Sequence, residues 1–573
     1  MFALVALGAA SLFGFLTPYF VKLYHMPSYV FIDNVGKTLA NIGKPPIPSK
    51  PRGETAPGPV TGLRFASIFT ALEGEAVQIP EPERAGRGGA LTSWGDDIVL
   101  LTHEGKIYVV GADLQYKLTK ITPPRNGFED YLAATKRPPH NGYKHLLENF
   151  RYIDIKAFSS AGRRGLVVSY TKFHAEKICY TTAISRLYID SVPLRDLETS
   201  ADQWTDIFQT SPCLPVVSHN RGIAGHMAGG RMAVDSKGVI YLASGEYRWG
   251  GRHTPSSITK SAPPLSQDET TDYGKVIAIE IDTGAAQHIS RGHRNTQGIT
   301  IDRDGALWAV EHGPRGGDEL NFIVKDGNYG WPLEIYGTLY SGEPVPDTLS
   351  LGRHETYRRP AIAWLPSIAV SGLTHIDNFH AAWDGDLLAS TLGGQMLVRI
   401  RTDSDRVVFT EFIKIGQRIR HVHQHTDGRI ALWTENNQLI FLSPAGAGPG
   451  YKYIEARLAK MKSEDGSAEN VQLAIETCME CHIVDIGENH DAPSLARIYG
   501  SKIGKTAFAN YSENMRKDDR IWTRELLIKF VKSPSSVIPN TNMPETGIDD
   551  PLVLKHVVDI LEGLAAENRI PGE

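Results

Sequence analysis

A phrase in which an Asp/Gly turn leads into a short apolar strand recurs through much of the sequence. Each copy places Val, Ile, Leu and aromatic residues directly after the turn, which is typical of a buried strand in a hairpin. Four clear copies and a looser fifth lie at Asp235–Glu246, Asp302–Gly313, Trp383–Thr391, Thr426–Ser443 and Gly95–Asp113. Short strands recurring over about 380 residues predict a mainly β fold, a β-propeller, and four strands per blade at about 64 residues predict six blades. The pattern alone also allows an array of β-sandwiches.

Charge divides the 573 residues into two parts. Residues 466–573 contain 11 Lys or Arg and 17 Asp or Glu, whereas the whole sequence has a formal net charge of −5. The acidic C-terminal part is therefore predicted to be a separate domain. Because the overall balance is not basic, no nucleic-acid partner is expected. The acidic surface predicts a salt-sensitive contact with a basic partner.

The N-terminal stretch 1–21 contains no charged side chain, and Lys22 is the first basic residue. About 20 apolar residues are enough to cross a bilayer as a hydrophobic helix, so we predict a membrane anchor. A cleaved signal peptide is one alternative, although its usual basic start is absent, and a buried soluble helix is another. Residues 22–61 form a Pro-rich spacer. Either form of export predicts a location on the periplasmic side of the bacterial inner membrane.

Residues 478–482 read Cys-Met-Glu-Cys-His, which is the attachment motif of c-type haem. The thiols of Cys478 and Cys481, one helical turn apart, can add to the two haem vinyl groups, and His482 then reaches the iron. No second cysteine pair is present to complete a zinc site. Met543 is the predicted second axial ligand, because a His/Met pair suits electron transfer. On chemistry alone, Met515 and His490 are alternative ligands.

The sequence from 466 to 566 resembles class I cytochrome c along nearly its whole length. The phrases that carry the resemblance are Ala492–Leu495, Tyr511–Met515 and Pro539–Pro544, and a final helix is predicted from Asp550 to Leu564. The resemblance implies an all-α cytochrome c domain, assigned to residues 466–573, that passes electrons to a respiratory acceptor. Residues 444–465 are the predicted linker, which begins rich in Gly and Pro and continues as a possible short helix, Tyr451–Lys462.

Two polar phrases in the predicted propeller contain more than turn chemistry. They are Gly292–Gly298 and Glu311–Asn321, and Gly327–Pro332 follows the second. Glycines clustered with Asp, Glu and Asn can offer oxygen ligands to Ca²⁺, and a solvated loop is the alternative. These phrases closely resemble the soluble quinoprotein sugar dehydrogenases, the glucose/sorbosone and aldose sugar dehydrogenase family. The resemblance is good over 222–442 and poor over 62–220. It implies a six-bladed propeller, assigned to residues 62–443, that binds pyrroloquinoline quinone (PQQ) and Ca²⁺.

The resemblance also implies roles for individual residues. His226 matches the general base that takes the proton of the sugar hydroxyl, a role suited to imidazole. Arg294 and Asn295 match cofactor-binding residues, and Arg294 could stabilise a developing oxyanion. An arginine pair that matches groups binding the PQQ carboxylates is Arg418 and Arg420. The main-chain ligands of a catalytic Ca²⁺ match Gly313 and Pro314. The positions associated with structural Ca²⁺ match Asp318, Glu319 and Tyr329.

Two positions depart from the family pattern. The family has a Lys that reaches the cofactor, and Gly393 stands at that position here. The family also has a Gln in an early blade, and the nearest stretch here, 148–152, contains no matching Gln. These departures predict an altered substrate, weak PQQ binding or no PQQ.

Cys179 and Cys213 lie 34 residues apart in the predicted propeller. Outside the cytoplasm a disulfide between them is expected, and two unpaired buried thiols are the alternative.

Together these features predict a membrane-anchored, periplasmic quinohaemoprotein that oxidises a sugar or a related alcohol or aldehyde. PQQ and Ca²⁺ would serve the propeller, and one covalent haem c would pass the electrons to a respiratory acceptor. The main alternative is a tethered cytochrome whose propeller has lost PQQ and acts as a docking module. A purely electron-carrying subunit of a respiratory complex is a third.

Overall fold

A computed structural model describes residues 59–567 of the chain, with internal gaps. The gaps are 69, 83–86, 136–149, 190–192, 217–222, 250–261, 346–347, 349–351, 447–448, 465–466, 485–491 and 507. The predicted helix at 1–21 and nearly all of the spacer at 22–61 lie outside the described residues. In the part that is described, no helix combines the length and the apolar character needed to cross a membrane.

The chain enters the fold through two strands, β1 (Val60–Phe65) and β2 (Leu72–Gln78), that later join the last blade. Three blades follow in chain order. Blade I contains β3 (Gly89–Trp94), β4 (Asp97–Thr102), β5 (Ile107–Val110) and β6 (Tyr116–Leu118). Blade II contains β8 (Tyr152–Ser160), β9 (Arg163–His174), β10 (Cys179–Tyr188) and β12 (Thr205–Gln209), and β13 (Leu214–Pro215) pairs with β10. Blade III contains β14 (Gly229–Val234), β15 (Val239–Ser244), β16 (Lys275–Glu280), β17 (Ala286–Arg291) and β21 (Gly327–Asn328).

The second half of the ring is built in the same way. Blade IV contains β18 (Thr296–Ile301), β19 (Leu307–Glu311), β20 (Asp318–Ile323) and β22 (Ile362–Trp364). Blade V contains β23 (Val370–His375), β24 (Leu387–Thr391), β25 (Met396–Asp403) and β26 (Arg406–Lys414). Blade VI contains β27 (Ile419–Gln424), β28 (Ile430–Thr434) and β29 (Gln438–Pro444). Between blades, β7 (Lys120–Ile121) pairs with β11 (Glu198–Thr199), and a helix, α1 (Phe128–Thr135), precedes blade II.

The two ends of the β region close the ring. Strand β2 pairs antiparallel with β29, with Leu72 opposite Pro444 and Gln78 opposite Gln438. The first strands of the six blades adjoin one another in the order β3, β8, β14, β18, β23 and β27, and β27 returns to β3. The predicted six-bladed propeller is therefore confirmed, and an array of separate sandwiches is excluded.

The recurring Asp/Gly phrase forms the hairpin between the first two strands of a blade. Asp302 accepts hydrogen bonds from the amides of Asp304 and Ala306, at 3.0 and 2.8 Å. Asp235 does the same for the amides of Lys237 and Val239, at 2.9 Å each. The strand that follows each turn is buried on both faces, as in β19, β24 and β28. This explains why these strands are continuous apolar runs in the sequence.

The described residues after 448 form six helices joined by loops: α2 (Pro449–Glu464), α3 (Ala468–Met479), α4 (Glu513–Lys517), α5 (Arg524–Lys532), α6 (Pro534–Val537) and α7 (Pro551–Glu567). Helix α7 begins one residue after Asp550, whose carboxylate accepts from the amides of Leu552 and Val553 at 2.8 and 3.3 Å. Such a capping carboxylate satisfies amides that have no partner inside the helix. The core of this region contains only residues from Ile454 to Leu564.

The predicted linker at 444–465 is not a free spacer. Helix α2 occupies most of it, and Ile454 and Met461 of that helix are buried in the core of the helical region. Helix α7 crosses α2 so closely that a Cβ added at Gly563 would lie 1.7 Å from the hydroxyl oxygen of Tyr453. The short helix predicted at Tyr451–Lys462 is confirmed as part of α2, and its buried apolar residues make it part of the helical domain rather than of a linker.

Candidate functional sites

Helix α3 presents the residues of the Cys-x-x-Cys-His motif at its C-terminal end. The amide of His482 donates to the carbonyl of Cys478 at 3.0 Å, so the chain is still turning where the imidazole begins. The Nδ1 of His482 lies 2.6 Å from the carbonyl oxygen of Pro493. A hydrogen bond from Nδ1 to this carbonyl holds the ring in one orientation and leaves Nε2 available as a ligand. Burial lowers the pKa of His482, so the ring is neutral, as a metal ligand must be.

An apolar crevice opens beside this motif and encloses about 1110 Å³, solvent at its mouth included. Both cysteines, His482 and both candidate methionines line it, together with apolar side chains such as Trp522. Two thiols, an imidazole and a thioether around an apolar slot fit a covalently attached haem. Burial also raises the pKa of Cys478 to about 11, which favours the protonated thiol.

Hydrogen bonds hold the loop that carries Met543 against the segment around α4. The side-chain amide of Asn514 donates to the carbonyl of Pro539 at 2.6 Å, and that of Asn542 donates to the carbonyl of Asn510 at 3.0 Å. The hydroxyl of Thr541 donates to the sulfur of Met515 at 3.6 Å, which gives this thioether a partner of its own. Met543 therefore remains the better candidate for the second axial ligand. The third candidate, His490, lies outside the described residues.

In the propeller, the predicted site residues lie where a blade begins its first strand or ends its second. These two points share one face of the ring, because the two strands are antiparallel. His226 comes three residues before β14, and Arg294 comes two residues before β18. Arg418 precedes β27, and Gly313 follows β19. The topology thus brings together side chains that are far apart in the sequence.

His226 sits in a 3-10 turn, Gly225–Met227, that two neighbouring loops hold in place. The amide of Gly245 donates to the carbonyl of Ala228 at 2.8 Å, and a Cβ at Gly245 would lie 2.3 Å from the carbonyl oxygen of Met227. Only glycine allows this approach. The side-chain amide of Asn295 donates to the carbonyl of His226 at 3.3 Å. Asn295, predicted to bind the cofactor, is 2% exposed and binds this turn.

Electrostatics keep His226 neutral. Burial and, after it, the nearby cations Arg248, Arg151 and Arg294 together lower its pKa to about 3. A neutral imidazole can accept a proton, as a general base requires. An acidic ligand bound among these arginines would offset their positive charge and so raise the pKa of His226 again.

Glu246 is a site residue that the sequence reasoning missed. Its carboxyl is buried, and burial raises its pKa to about 7 despite the opposing charge of Arg294. Its backbone amide donates to the carbonyl of Arg294 at 3.1 Å, which joins the β15 end to the β18 start. The available signal was its position two residues after β15, at the same face as His226.

Arg294 occupies one of the two carbonyls, that of Gly313, that were predicted to bind the catalytic Ca²⁺. Its Nη1 donates to the carbonyls of His312 and Gly313 at 2.9 and 3.2 Å, and its guanidinium lies 5.1 Å from the ring centre of Trp331. Pro314 follows in the same loop and is buried. The guanidinium therefore competes with a cation for the carbonyl of Gly313.

The three positions associated with structural Ca²⁺ are buried but have other partners. Asp318 accepts from the amides of Gly313 and Ala369 at 3.0 and 2.6 Å. The hydroxyl of Tyr329 donates to the carbonyl of Phe322. Glu319 lies beside a second buried carboxyl, Glu311, and burial with this neighbour raises the pKa of Glu319 well above its usual value. Among the described residues, no group of three or more His, Cys, Asp or Glu side chains could hold a metal ion, so the Ca²⁺ assignments stay predictions.

The arginine pair of blade VI is brought together as predicted, but around a carboxylate. The Nε of Arg418 and the Nη2 of Arg420 donate to the same oxygen of Glu435, at 2.7 and 2.6 Å. Arg87 of the loop before β3 donates to the other oxygen. Glu435 directly follows β28, and its side chain is 8% exposed. Three guanidinium groups on one carboxylate leave an excess of positive charge at this edge of the site.

A narrow cavity, about 350 Å³ with the open solvent at its mouth included, is lined by the first strands of the blades, and we call it the channel-mouth cavity. Arg151, Arg231, Gln297, Leu392 and Arg420 are among the residues that line it. Arg231 of blade III is 7% exposed and ties its own blade to three others, because it donates to the carbonyls of Gly89, Ile153 and Arg420 at 3.2, 3.0 and 3.0 Å. Both departures from the family pattern lie beside this cavity, since its lining includes Leu392, which precedes Gly393, and Arg151, which belongs to the stretch without the Gln.

At the side of blade II, Cys179 and Cys213 form a disulfide, with Cα atoms 5.6 Å apart. This is the pairing expected from the sequence. It links β10 to the segment that enters β13.

Comparison with known proteins finds different relatives for the propeller and for the C-terminal region. The profile of a family described as "Glucose / Sorbosone dehydrogenase" matches residues 157–442, which span blades II to VI. Over 234 residues the chain is 35% identical to an aldose sugar dehydrogenase of Escherichia coli, a match that covers 38% of this chain and 61% of that protein. The chain spans less than two thirds of the length of the first two curated relatives that it matches.

The C-terminal region has its own relatives. It is 34% identical over 91 residues to cytochrome c2 iso-2 of Magnetospirillum fulvum, and the match covers 16% of this chain and 95% of that protein. Among solved structures, the apo-form of the soluble aldose sugar dehydrogenase of Escherichia coli aligns with a TM-score of 0.50 and 22% identity, covering 65% of this chain and all of that one. At this identity the structural likeness shows the propeller fold alone.

Proposed function

The C-terminal region of this chain belongs to the cytochrome c2 family and its propeller is of the glucose/sorbosone dehydrogenase type, and from that premise we propose that the chain is a quinohaemoprotein oxidoreductase. Its substrate is an aldose or a related alcohol or aldehyde. The observation that carries the proposal is the neutral His226 at a face of the propeller crowded with guanidinium groups. This combination suits a base that works beside an acidic cofactor.

The arginines favour a ligand with several carboxylates. Arg294, Arg420 and Arg151 approach the site from blades IV, VI and II. Guanidinium groups pair with carboxylates in a planar, two-pronged geometry. PQQ carries three carboxylates, so it fits the donors present. When bound, PQQ would supply a two-electron acceptor and the haem a one-electron carrier.

The chain's own residues do the proton chemistry. A ring nitrogen of His226 takes the hydroxyl proton of the substrate. Loss of this proton favours departure of a hydride from the carbon that carries the hydroxyl group. Asn295 and Gly245 hold the turn on which His226 sits, so the base stays in place without substrate. The guanidinium of Arg294 lies close enough to lower the pKa of His226 and can stabilise negative charge as it develops. No step of the proposal relies on Ca²⁺.

The helical domain keeps the second redox centre attached to the first. Covalent fusion raises the effective concentration of the electron acceptor beside the propeller. We place the protein at the periplasmic side of the inner membrane, because the apolar stretch 1–21 suits an anchor and the disulfide suits an oxidising compartment. The acidic helical domain suits a basic respiratory acceptor.

The test is a haem-reduction assay on the purified full chain. The oxidised protein is mixed with PQQ, Ca²⁺ and each of a panel of aldoses while the absorption band of reduced haem is followed. Reduction that needs both sugar and PQQ supports the proposal. His226→Ala should lower the rate about 100- to 10,000-fold and leave PQQ affinity unchanged. His288→Ala, in the outer strand of the same blade, is the matched control and should keep the rate of the natural protein.

One set of contacts favours a second candidate function. Arg418 and Arg420 already have a carboxylate partner in Glu435, and Gly393 replaces the family's Lys. Both features suit a propeller that has lost PQQ and serves as a docking module, with the haem as the sole redox centre. A direct PQQ titration separates the two functions. Absence of binding at any attainable PQQ concentration would support the docking module.

A further inference from the structure

The position at which the family carries a cofactor-binding Lys cannot easily hold one here. A Cβ added at Gly393 would lie 3.1 Å from the carbonyl oxygen of Ile368 and 3.3 Å from the Cβ of Ala369. The residue before it, Leu392, gives the channel-mouth cavity an apolar wall on this side. At the face that holds His226, blade V therefore offers Ile368, Ala369, Leu392 and Gly393, none of which carries charge. A cation for this part of the site has to come from another blade.

Blade II offers one from the far side of the ring. Six blades in the order I to VI place II and V three positions apart, so the two face each other across the channel. Arg151 directly precedes β8, the first strand of blade II, and lines the channel-mouth cavity with Leu392. The cavity is thus apolar beside the position where the family has Lys, and cationic in the stretch nearest to the family's Gln.

Contacts hold Arg151 close to the proposed base. Its Nη2 donates to the carbonyl of Gly225 at 3.2 Å, in the turn that carries His226, and its Nη1 donates to the carbonyl of Arg87 at 3.5 Å. The charge of Arg151 lowers the pKa of His226. Its guanidinium therefore lies within electrostatic reach of both the cavity and the base.

The other two arginines of the cavity have different tasks. Arg231 is bound to three backbone carbonyls and lies 3.7 Å from the carboxylate of Asp154, so it holds blades together. Arg420 is paired with Glu435. Arg151 is the cavity arginine whose described contacts tie it to the turn of the proposed base.

We propose that Arg151 binds a carboxylate of the quinone cofactor from blade II and so replaces the Lys that relatives carry in blade V. The inference rests on the proposed function, because it assumes that the site binds PQQ. A guanidinium here adds a two-pronged donor where an ammonium would act as a point charge. The cofactor is then held from the opposite side of the channel mouth.

A binding titration tests this without any turnover. PQQ is titrated into the purified full chain and into Arg151→Gln, with binding followed by calorimetry. Loss of one charge-assisted contact should weaken binding about 10- to 100-fold. Arg303→Gln is the matched control: this exposed arginine pairs with Asp377 and Asp384 and should bind PQQ as the natural chain does.

Two further variants separate charge from shape. Arg151→Lys keeps the charge but loses the two-pronged geometry, so its affinity should lie between those of the natural chain and Arg151→Gln, whereas an equal loss in the Lys and Gln variants would overturn the proposal. Arg151→Met keeps the apolar stem and takes the place of Arg151→Gln should that variant not fold. Affinity of the Gln or Met variant within twofold of the natural chain also overturns it. If the natural chain itself does not bind PQQ, the proposed function fails, which is a different result.

Discussion

The haem crevice and the propeller site differ in how the chain assembles them. In the crevice, Cys478, Cys481 and His482 are consecutive parts of one motif at the end of α3, and the surroundings are apolar. In the propeller, Arg151, His226, Arg294 and Arg420 come from four blades, and the surroundings are charged. A site built within one motif can be recognised from spacing alone. A site built across blades depends on ring closure, which no local pattern contains.

The largest effect should come from the local site. Changing Cys478→Ser together with Cys481→Ser removes both attachment points, so covalent haem should be lost completely. A haem-specific stain on a denaturing gel measures this directly. If the two sites are independent, the thermal unfolding of the propeller should not change in this variant, because the propeller cores contain no residue of the helical domain. Haem that remains covalently bound in the double variant would contradict the attachment assignment.

The disulfide gives the converse test in the propeller. Cys179→Ser with Cys213→Ser removes a bond across 34 residues, and the free energy of unfolding of the propeller should fall by about 3–4 kcal/mol. Urea unfolding followed by tryptophan fluorescence measures the change. Haem attachment and the haem spectrum should stay as in the natural chain. A matching loss of stability in the helical domain would show that the two regions are coupled after all.

The buried Glu246 sharpens the comparison through pH. Its pKa is raised to about 7 in the folded state by burial, whereas an unfolded Glu titrates near 4.5. Between these values the folded state keeps a proton that the unfolded state releases. Propeller stability should therefore fall as pH rises through this window, by up to about 3 kcal/mol from this group.

Glu246→Gln removes that contribution. The propeller of this variant should lose less stability than the natural one between about pH 4.5 and pH 7, in urea unfolding of PQQ-free protein. His226 changes stability in the opposite direction, since its lowered pKa costs stability as pH falls below about 6.5. The difference between natural chain and variant isolates Glu246 because His226 is present in both. Equal pH dependence in the two proteins would rule out a buried carboxyl with a raised pKa.

Much of the fold was predictable because its rules are local. The Asp/Gly turns at Asp235 and Asp302 form as predicted, since an Asp side chain can bind the amides of its own turn. The apolar spacing of the last helix was also recognised, with Leu554, Val557, Val558, Leu561 and Leu564 all buried. The packing of α2 was not predicted, because it depends on Gly563 and on the apolar face of α7, a helix far from α2 in the sequence.

The candidate site in the propeller was predictable only in part. The resemblance to sugar dehydrogenases pointed to His226, Arg294 and the blade VI arginines, and the topology brings all of these to one face. Glu246, Glu435 and Arg151 were missed. Each is an ordinary charged residue at a strand end, and nothing in its immediate neighbours distinguishes it from a solvated loop residue.

The sequence by itself determined the haem motif, the strand phrases and the separation of a propeller from an acidic helical domain, because covalent spacing, turn chemistry and apolar periodicity act over a few residues. The tertiary structure decided which charged groups meet. Ring closure brought Arg151 opposite Leu392, placed three arginines on Glu435 and set Arg294 on the carbonyl of Gly313. The physical reason is that electrostatic and hydrogen-bond energies depend on distance in space, and only the closed ring defines those distances.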